Sequence, residues 1–150
     1  MKSPVNHFAL EEFLPYRLSL LTNTVSRELA ASYREEHDIT IIEWRVLAVL
    51  GRFPGLTAKK IVDRTAMDKV AISRAVKTLM DKNLLTRKVD PEDRRRQQLF
   101  LTPDKGQLVL EDILPRARKL ESTLLDTLTR EEQVQLNHLL SRLQTAAENL

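Results

Sequence analysis

The sequence predicts a mainly α protein that carries one small β-hairpin. Three observations lead there. Apolar residues recur at spacings of three and four, as in Leu14, Leu18, Leu21, Val25 and Leu29, which makes one stripe along a helix. The period changes to strand-like alternation only in "LLTRKV" and "QQLFLT", residues 84–89 and 97–102, on either side of the turn "DPEDRR". Only three glycines and 5% aromatic residues favour helices packed through Leu, Val, Ile and Ala.

Taken in order, residues 8–36 read as a long helix. Pro15 fits only near a helix start, so the helix proper begins close to Leu14. "TIIE" is a capping box, in which Thr40 accepts from the N–H of Glu43 and Glu43 reaches back to the N–H of Thr40. The helix it opens, about 41–51, carries Ile42, Val46, Leu47 and Leu50, and "GRFPGLT" ends it. Thr57 is the next N-cap, for the short helix "AKKIVDR" with Ile61 and Val62 facing the core. After the tight connection "TAM", Asp68 caps the helix "KVAISRAVKTLMDK", and Asn83 suits the left-handed turn that ends it. Beyond the hairpin, Thr102 and Pro103 read as an N-cap with proline at the first helical position, opening a helix over about 103–127 that kinks at Pro115. "TREE", 129–132, is a second capping box, and the last helix carries Val134, Leu136, Leu139, Leu140 and Leu143.

Composition and charge narrow the function. The chain is 42% hydrophobic and 30% charged, as ordinary globular proteins are. It has no cysteine, which excludes disulfides, zinc–thiolate sites and thiol redox switches. The N-terminal residues lack a signal-peptide core, and "ITIIEWRVLAVL" is interrupted by Glu43 and Arg45, so a cytoplasmic protein without a membrane span is expected. Residues 57–96 hold twelve Lys/Arg against six Asp/Glu, whereas the rest of the chain holds twelve against fifteen. A basic middle between acidic ends points to a polyanion at the middle, although a lysine-rich solvated face has the same composition.

The basic residues fall in two places. On the helix after Asp68, Ile72, Ala75, Val76 and Leu79 form the inward face, and Lys69, Val70, Ser73, Arg74 and Lys77 lie side by side on the other. Arginine can donate bidentately to guanine, serine can contact base or phosphate, a small apolar group can touch a thymine methyl, and lysines neutralise phosphates. A plain amphipathic helix with a basic side looks the same in isolation. The second place is the hairpin tip, where Arg94, Arg95 and Arg96 stand together; a solubilising turn needs no such run. A β-ribbon tip is narrow enough for the minor groove, whose negative potential favours arginine. Asp90 or Asp93 fixes an arginine there, because a carboxylate beside phosphate is repelled.

Two short helices joined by a tight turn and followed by a hairpin have the order of a winged helix-turn-helix, here flanked by long helices too apolar to stand free. Residues 56–106, from "LTAKKIVDRTAMDKVAISRAVKTLMDKNLL" to "DPEDRRRQQLFLTPDKG", resemble the DNA-binding core of MarR-family transcriptional regulators. The most specific part is "DPEDRR" leading into "LFLTPDKG", and the helix count matches on both sides. The resemblance implies one MarR-like subunit over 1–150, with a DNA-binding lobe at 40–102 and a dimerisation region at 8–36 and 103–150. It implies a homodimer on a palindromic double-stranded operator. Residues 69–82 become the recognition helix. Thr57 joins the DNA-facing set, and Asp93 braces a wing arginine, with insertion ranked Arg95, then Arg94, then Arg96. The turn "RTAMD" lacks the glycine many relatives carry, which implies a backbone that avoids positive φ there.

Relatives often bind phenolic or aromatic carboxylic ligands between the dimerisation helices and the DNA-binding lobe. By that resemblance, Tyr16, Arg17, Trp44 and Arg45 are the candidate lining, with Arg17 for a carboxylate and Trp44 for a ring. Trp44 reads equally as core packing, and Arg45 as a structural or DNA-facing residue. "EEHD", 35–38, places metal-ligand types in a row, but neighbours on a helix point different ways and three scattered histidines have no metal spacing, so no metal site or cofactor is expected. No nucleophile–base motif or phosphate loop indicates an enzyme. The expected function is a repressor released by a small aromatic ligand. A winged-helix DNA-binding protein without ligand sensing and a protein–protein adaptor are the alternatives.

Overall fold

The computed structural model describes residues 8–150, in two compact units that meet in sequence between Leu114 and Pro115. In the first, a single 3-10 turn, Leu10–Glu12, precedes α1, Leu14–Tyr33, which starts with proline in its first turn. The first half of α1 is apolar yet exposed: Leu14, Leu18, Leu20 and Leu21 are each 39–51% accessible. Its end is different, with Leu29 and Tyr33 buried. α1 thus stops three residues before the expected 36, and residues 34–36 form a turn.

α2, Ile41–Arg52, opens with the capping box: Glu43 N–H donates to Thr40 Oγ1 at 3.2 Å, and Thr40 N–H donates to Glu43 Oε2 at 3.0 Å. These bonds satisfy two otherwise orphaned helix donors and hold the buried Glu43 carboxylate. α3, Ala58–Thr65, and α4, Lys69–Asp81, pack with α2 around Val46, Leu47, Leu50, Ile61, Ile72 and Leu79, each no more than 1% exposed. Asp68 Oδ2 accepts from Ala71 N–H at 2.9 Å and caps α4. Asn83 ends the segment with φ of 58°, in the left-handed conformation expected of it.

The α3–α4 turn departs from expectation. Ala66 adopts φ 51°, ψ 25°, so the backbone takes the left-handed conformation without a glycine. The chain must reverse within three residues to bring Asp68 to the start of α4. Ala66 bears the cost, about 1–2 kcal/mol for a residue with a Cβ.

β1, Leu85–Val89, and β2, Gln97–Leu101, form the antiparallel hairpin, with Leu85 opposite Leu101 and Val89 opposite Gln97. Leu85 and Leu99 are buried in the core. On the other side of β2, Gly55 N–H donates to Leu99 O at 2.9 Å and Leu99 N–H donates to Leu56 O at 3.0 Å, which ties the hairpin to the α2–α3 connection. Gly55 has φ of 86°, where a side chain would be strained.

At the hairpin's base, Thr102 Oγ1 donates to Asn83 O at 2.7 Å and accepts from Gly106 N–H at 2.8 Å. α5 therefore begins at Gly106 and runs to Leu125, rather than beginning at Pro103; residues 103–105 form the turn that Thr102 closes. A Cβ on Gly106 would lie 2.0 Å from Leu84 O, so only glycine permits this approach of two backbones. α5 continues through Pro115, whose missing N–H leaves the Glu111 carbonyl without its helical donor.

In the second unit, Thr129 and Glu132 form the second capping box and open α6, Arg130–Glu148. Gln133 Nε2 donates to Leu125 O at 2.9 Å and to Leu128 O at 3.2 Å, closing the turn between α5 and α6. α6 buries none of its residues; Val134, Leu136, Leu139, Leu140 and Leu143 are all exposed. No helix among the described residues is long and apolar enough to cross a membrane.

Candidate nucleic-acid interface

The outer face of α4 is set by its inner one. Burial of Ile72, Ala75, Val76 and Leu79 turns Lys69, Val70, Ser73, Arg74 and Lys77 outwards, and all five are exposed. None of their side chains makes a hydrogen bond or ion pair among the described residues. Four are polar or charged groups held ready on a rigid helix, and Val70, 54% exposed, stands among them.

The hairpin tip is built by its two aspartates. Asp90 Oδ1 accepts from Glu92 N–H at 2.9 Å, and Asp93 Oδ1 accepts from Arg95 N–H at 3.0 Å. Backbone bonds from Asp90 N–H to Arg96 O and from Arg96 N–H to Asp93 O, both 2.9 Å, close the loop. Such side-chain-to-backbone bonds are what Asp contributes to turns. The arginine side chain nearest Asp93 is that of Arg96, with Nε at 3.8 Å from Oδ2. Asp93 therefore holds the backbone of Arg95 and the side chain of Arg96, while the side chains of Arg94 and Arg95 are exposed.

Between the tip and the start of α3 lies an open cleft of about 530 Å³. Thr57, Lys59, Lys60, Arg95, Arg96 and Gln97 are among its lining residues. Thr57 Oγ1 accepts from Lys60 N–H at 3.3 Å, so its hydroxyl is in part a helix cap. Lys59 and Lys60 lie on this face of α3, whose apolar pattern in the sequence marks only Ile61 and Val62. The available signal was a lysine pair in the first turn of the helix that precedes the recognition segment. Arg64, on the same helix, lies 3.8 Å over the Phe53 ring, a cation–π contact that ties it to the scaffold.

Tyr16, Arg17, Trp44 and Arg45 do not line the cleft beside the wing. Trp44 is partly buried against the core cluster, and Arg45 donates to Ser26 Oγ of α1 at 3.2 Å. Tyr16 is half-buried and Arg17 exposed on α1. A different cleft of about 670 Å³ lies along α1 and the α1–α2 connection, lined among others by Asn23, Ser26, Arg27, Arg34, His37 and Thr40. Nearby, the buried Tyr33 hydroxyl has no hydrogen-bond partner among the described residues. Burial pushes its pKa up from 10.0, and the Glu43 carboxylate pushes the same way.

Capped helices α3 and α4, the left-handed turn between them and the arginine-tipped hairpin define a winged helix-turn-helix protein, a class that includes many DNA-binding regulators. The MarR family model matches residues 37–96. The HTH-type transcriptional repressor MdtR of Bacillus subtilis (strain 168) is 30% identical over 131 residues, covering 87% of this chain and 83% of the relative. The chain belongs to the MarR family. Among solved structures, a MarR/EmrR family transcriptional regulator from Acinetobacter sp. ADP1 superposes with a TM-score of 0.86 at 27% identity, over 95% of this chain and all of that one. The PcaV transcriptional regulator from Streptomyces coelicolor, in complex with its natural ligand, gives 0.78 at 26% identity, over 93% and 97% of the two chains. These relatives are transcriptional regulators, not enzymes, and regulators of this family bind DNA and act as dimers.

Proposed function

We propose that the chain is a cytoplasmic, homodimeric, sequence-specific repressor released from a palindromic operator by a small aromatic or phenolic ligand. The observation that carries the reading is the row of exposed, unpaired side chains on α4 beside the arginine-tipped hairpin. Residues 40–102 act as the DNA-binding lobe, and 8–36 and 103–150 as the dimerisation region. Arg74 reads a base in the major groove, Ser73 and Val70 add base or backbone contacts, and Lys69 and Lys77 neutralise phosphates. Arg94 and Arg95 enter the minor groove while Asp93 shapes the tip and holds Arg96. Thr57, with Lys59 and Lys60, faces the phosphates beside the wing. The exposed leucines of α1 and α6 supply the apolar surface that a dimer covers.

Ligand control is geometric in this reading. Two recognition helices must fit major grooves about 34–36 Å apart. A ligand that prefers a dimer of different spacing lowers DNA affinity by that preference. Support comes from PcaV, solved with its natural ligand. Tyr16, Arg17, Trp44 and Arg45 remain the residues for such a ligand, with the Arg45–Ser26 bond joining α2 to α1.

The test is selection of bound sites from a random duplex pool, followed by footprinting and a salt titration. A short palindrome is expected, with affinity falling by about 10³-fold or more between 50 and 200 mM salt. Uniform coverage without a preferred site supports an architectural protein instead, and a flat salt response supports a protein–protein adaptor. Adding a panel of aromatic acids to the bound complex should release it; a complex insensitive to the whole panel removes the ligand from the proposal.

A further inference from the structure

The connection between α1 and α2 meets α5 at three side chains of metal-ligand type. After Tyr33 the chain turns, with His37 N–H donating to Tyr33 O at 2.8 Å. That turn sets His37 Nε2 at 2.7 Å from Asp112 Oδ2 on α5, across 75 residues of sequence. One donor atom from each of Glu36, His37 and Asp112 lies within 4.8 Å of the other two. We propose that these residues form a binding site for a divalent ion of the zinc class, with His37 Nε2 and one carboxylate oxygen each from Glu36 and Asp112 as protein ligands.

The donor set selects the ion. Magnesium and calcium take six or more oxygens, whereas an imidazole with carboxylates suits zinc and its neighbours. Ligand bonds of about 2.0–2.2 Å place tetrahedral donors about 3.3–3.6 Å apart. The His37–Asp112 pair, at 2.7 Å, opens slightly to reach that spacing, and the Glu36 donor lies within 4.8 Å of both. Two carboxylates also offset the charge of the ion. Three protein ligands leave one position for water or an anion, and a cavity of about 190 Å³ borders the cluster, lined by Glu36 and His37 together with Lys82 and Lys105. Glu36 and Asp112 each take part in further interactions, with which an ion would compete. Occupancy would fasten the α1–α2 connection to α5. This inference stands on its own geometry and does not rest on the DNA-binding reading.

The test uses the full chain, stripped with a chelator and titrated with zinc chloride against a fluorescent competitor and by calorimetry. One zinc per chain is expected, together with a rise in Tm. His37→Gln and Asp112→Asn should each weaken binding about tenfold or more, since even groups that only support a metal ligand have effects of about 10–100-fold. Glu36→Gln, at an exposed position, tests the same site should either of those variants fail to fold. His138→Gln, at an exposed histidine on α6, should change nothing. Absence of binding in the micromolar range, or binding unchanged in the site variants, overturns the proposal and leaves a simple His–carboxylate contact.

Discussion

Arg74 stands exposed between two neighbours of the same face, Ser73 and Lys77, on a helix whose other side is locked into the core. A guanidinium so placed can donate in parallel to one guanine, and each such pair is worth about 1–3 kcal/mol of discrimination. Arg74→Ala should therefore weaken operator binding by about that amount and relax preference at one position in each half-site, read by competition with single-base operator variants. Uniform weakening across all variants would make Arg74 a phosphate contact. Tyr33 offers a different test. Its buried hydroxyl has no hydrogen-bond partner among the described residues, and an unsatisfied buried polar group costs about 1–3 kcal/mol. Tyr33→Phe should raise stability by about 1 kcal/mol in urea unfolding. The sign of the pH effect follows from the raised pKa: the folded hydroxyl stays protonated while the unfolded one ionises above the ordinary 10.0. Stability is full below that value and falls as pH rises through it, a loss the Phe variant should lack. A Phe variant of lower stability would mean that the hydroxyl is satisfied in the assembled protein.

At the scale of elements, the helix-turn-helix depends on Ala66 holding a left-handed backbone. Glycine adopts that conformation freely but loses more entropy on folding, so the two effects partly offset. Ala66→Gly should raise stability by about 0.5–1 kcal/mol, with DNA affinity unchanged. A lower Tm would show that unfolded-chain entropy outweighs the strain. This turn also marks a limit of local reading. A sequence without glycine implied a backbone avoiding positive φ, yet Asp68 must reach the start of α4 within three residues, and tertiary packing of α3 against α4 imposes the conformation. The start of α5 departs from its local pattern for a similar reason. "TP" has the pattern of an N-cap, but Thr102 is engaged at the hairpin base with Asn83 O and Gly106 N–H, so the helix begins later.

Across the whole molecule, apolar side chains are exposed on two long helices that could not remain so in isolation. Leu139 and Leu143, each 43% exposed, lie one turn apart on α6 and belong to the surface assigned to the partner subunit. Leu139→Glu combined with Leu143→Glu should halve the mass seen by sedimentation and abolish palindrome binding, while α2–α4 and the hairpin stay folded. A variant that remains dimeric would move the subunit contact away from this face.

The sequence by itself determined the presence of the helices, the caps of α2, α3, α4 and α6, the hairpin and its charged tip. Thr40 with Glu43, Thr129 with Glu132, Asp68 and Asn83 do in the structure what their neighbours require, because capping, proline placement and periodicity act within a few residues along the chain. Only the tertiary structure decided which distant groups meet. Lys59 and Lys60 share a cleft with Arg95 and Arg96, Asp93 secures the backbone of Arg95 and the side chain of Arg96, and Asp112 joins Glu36 and His37 across half of the chain. Adjacent residues in "EEHD" could not suggest that cluster, since its third donor is supplied by packing between segments, and local patterns do not encode contacts of that range.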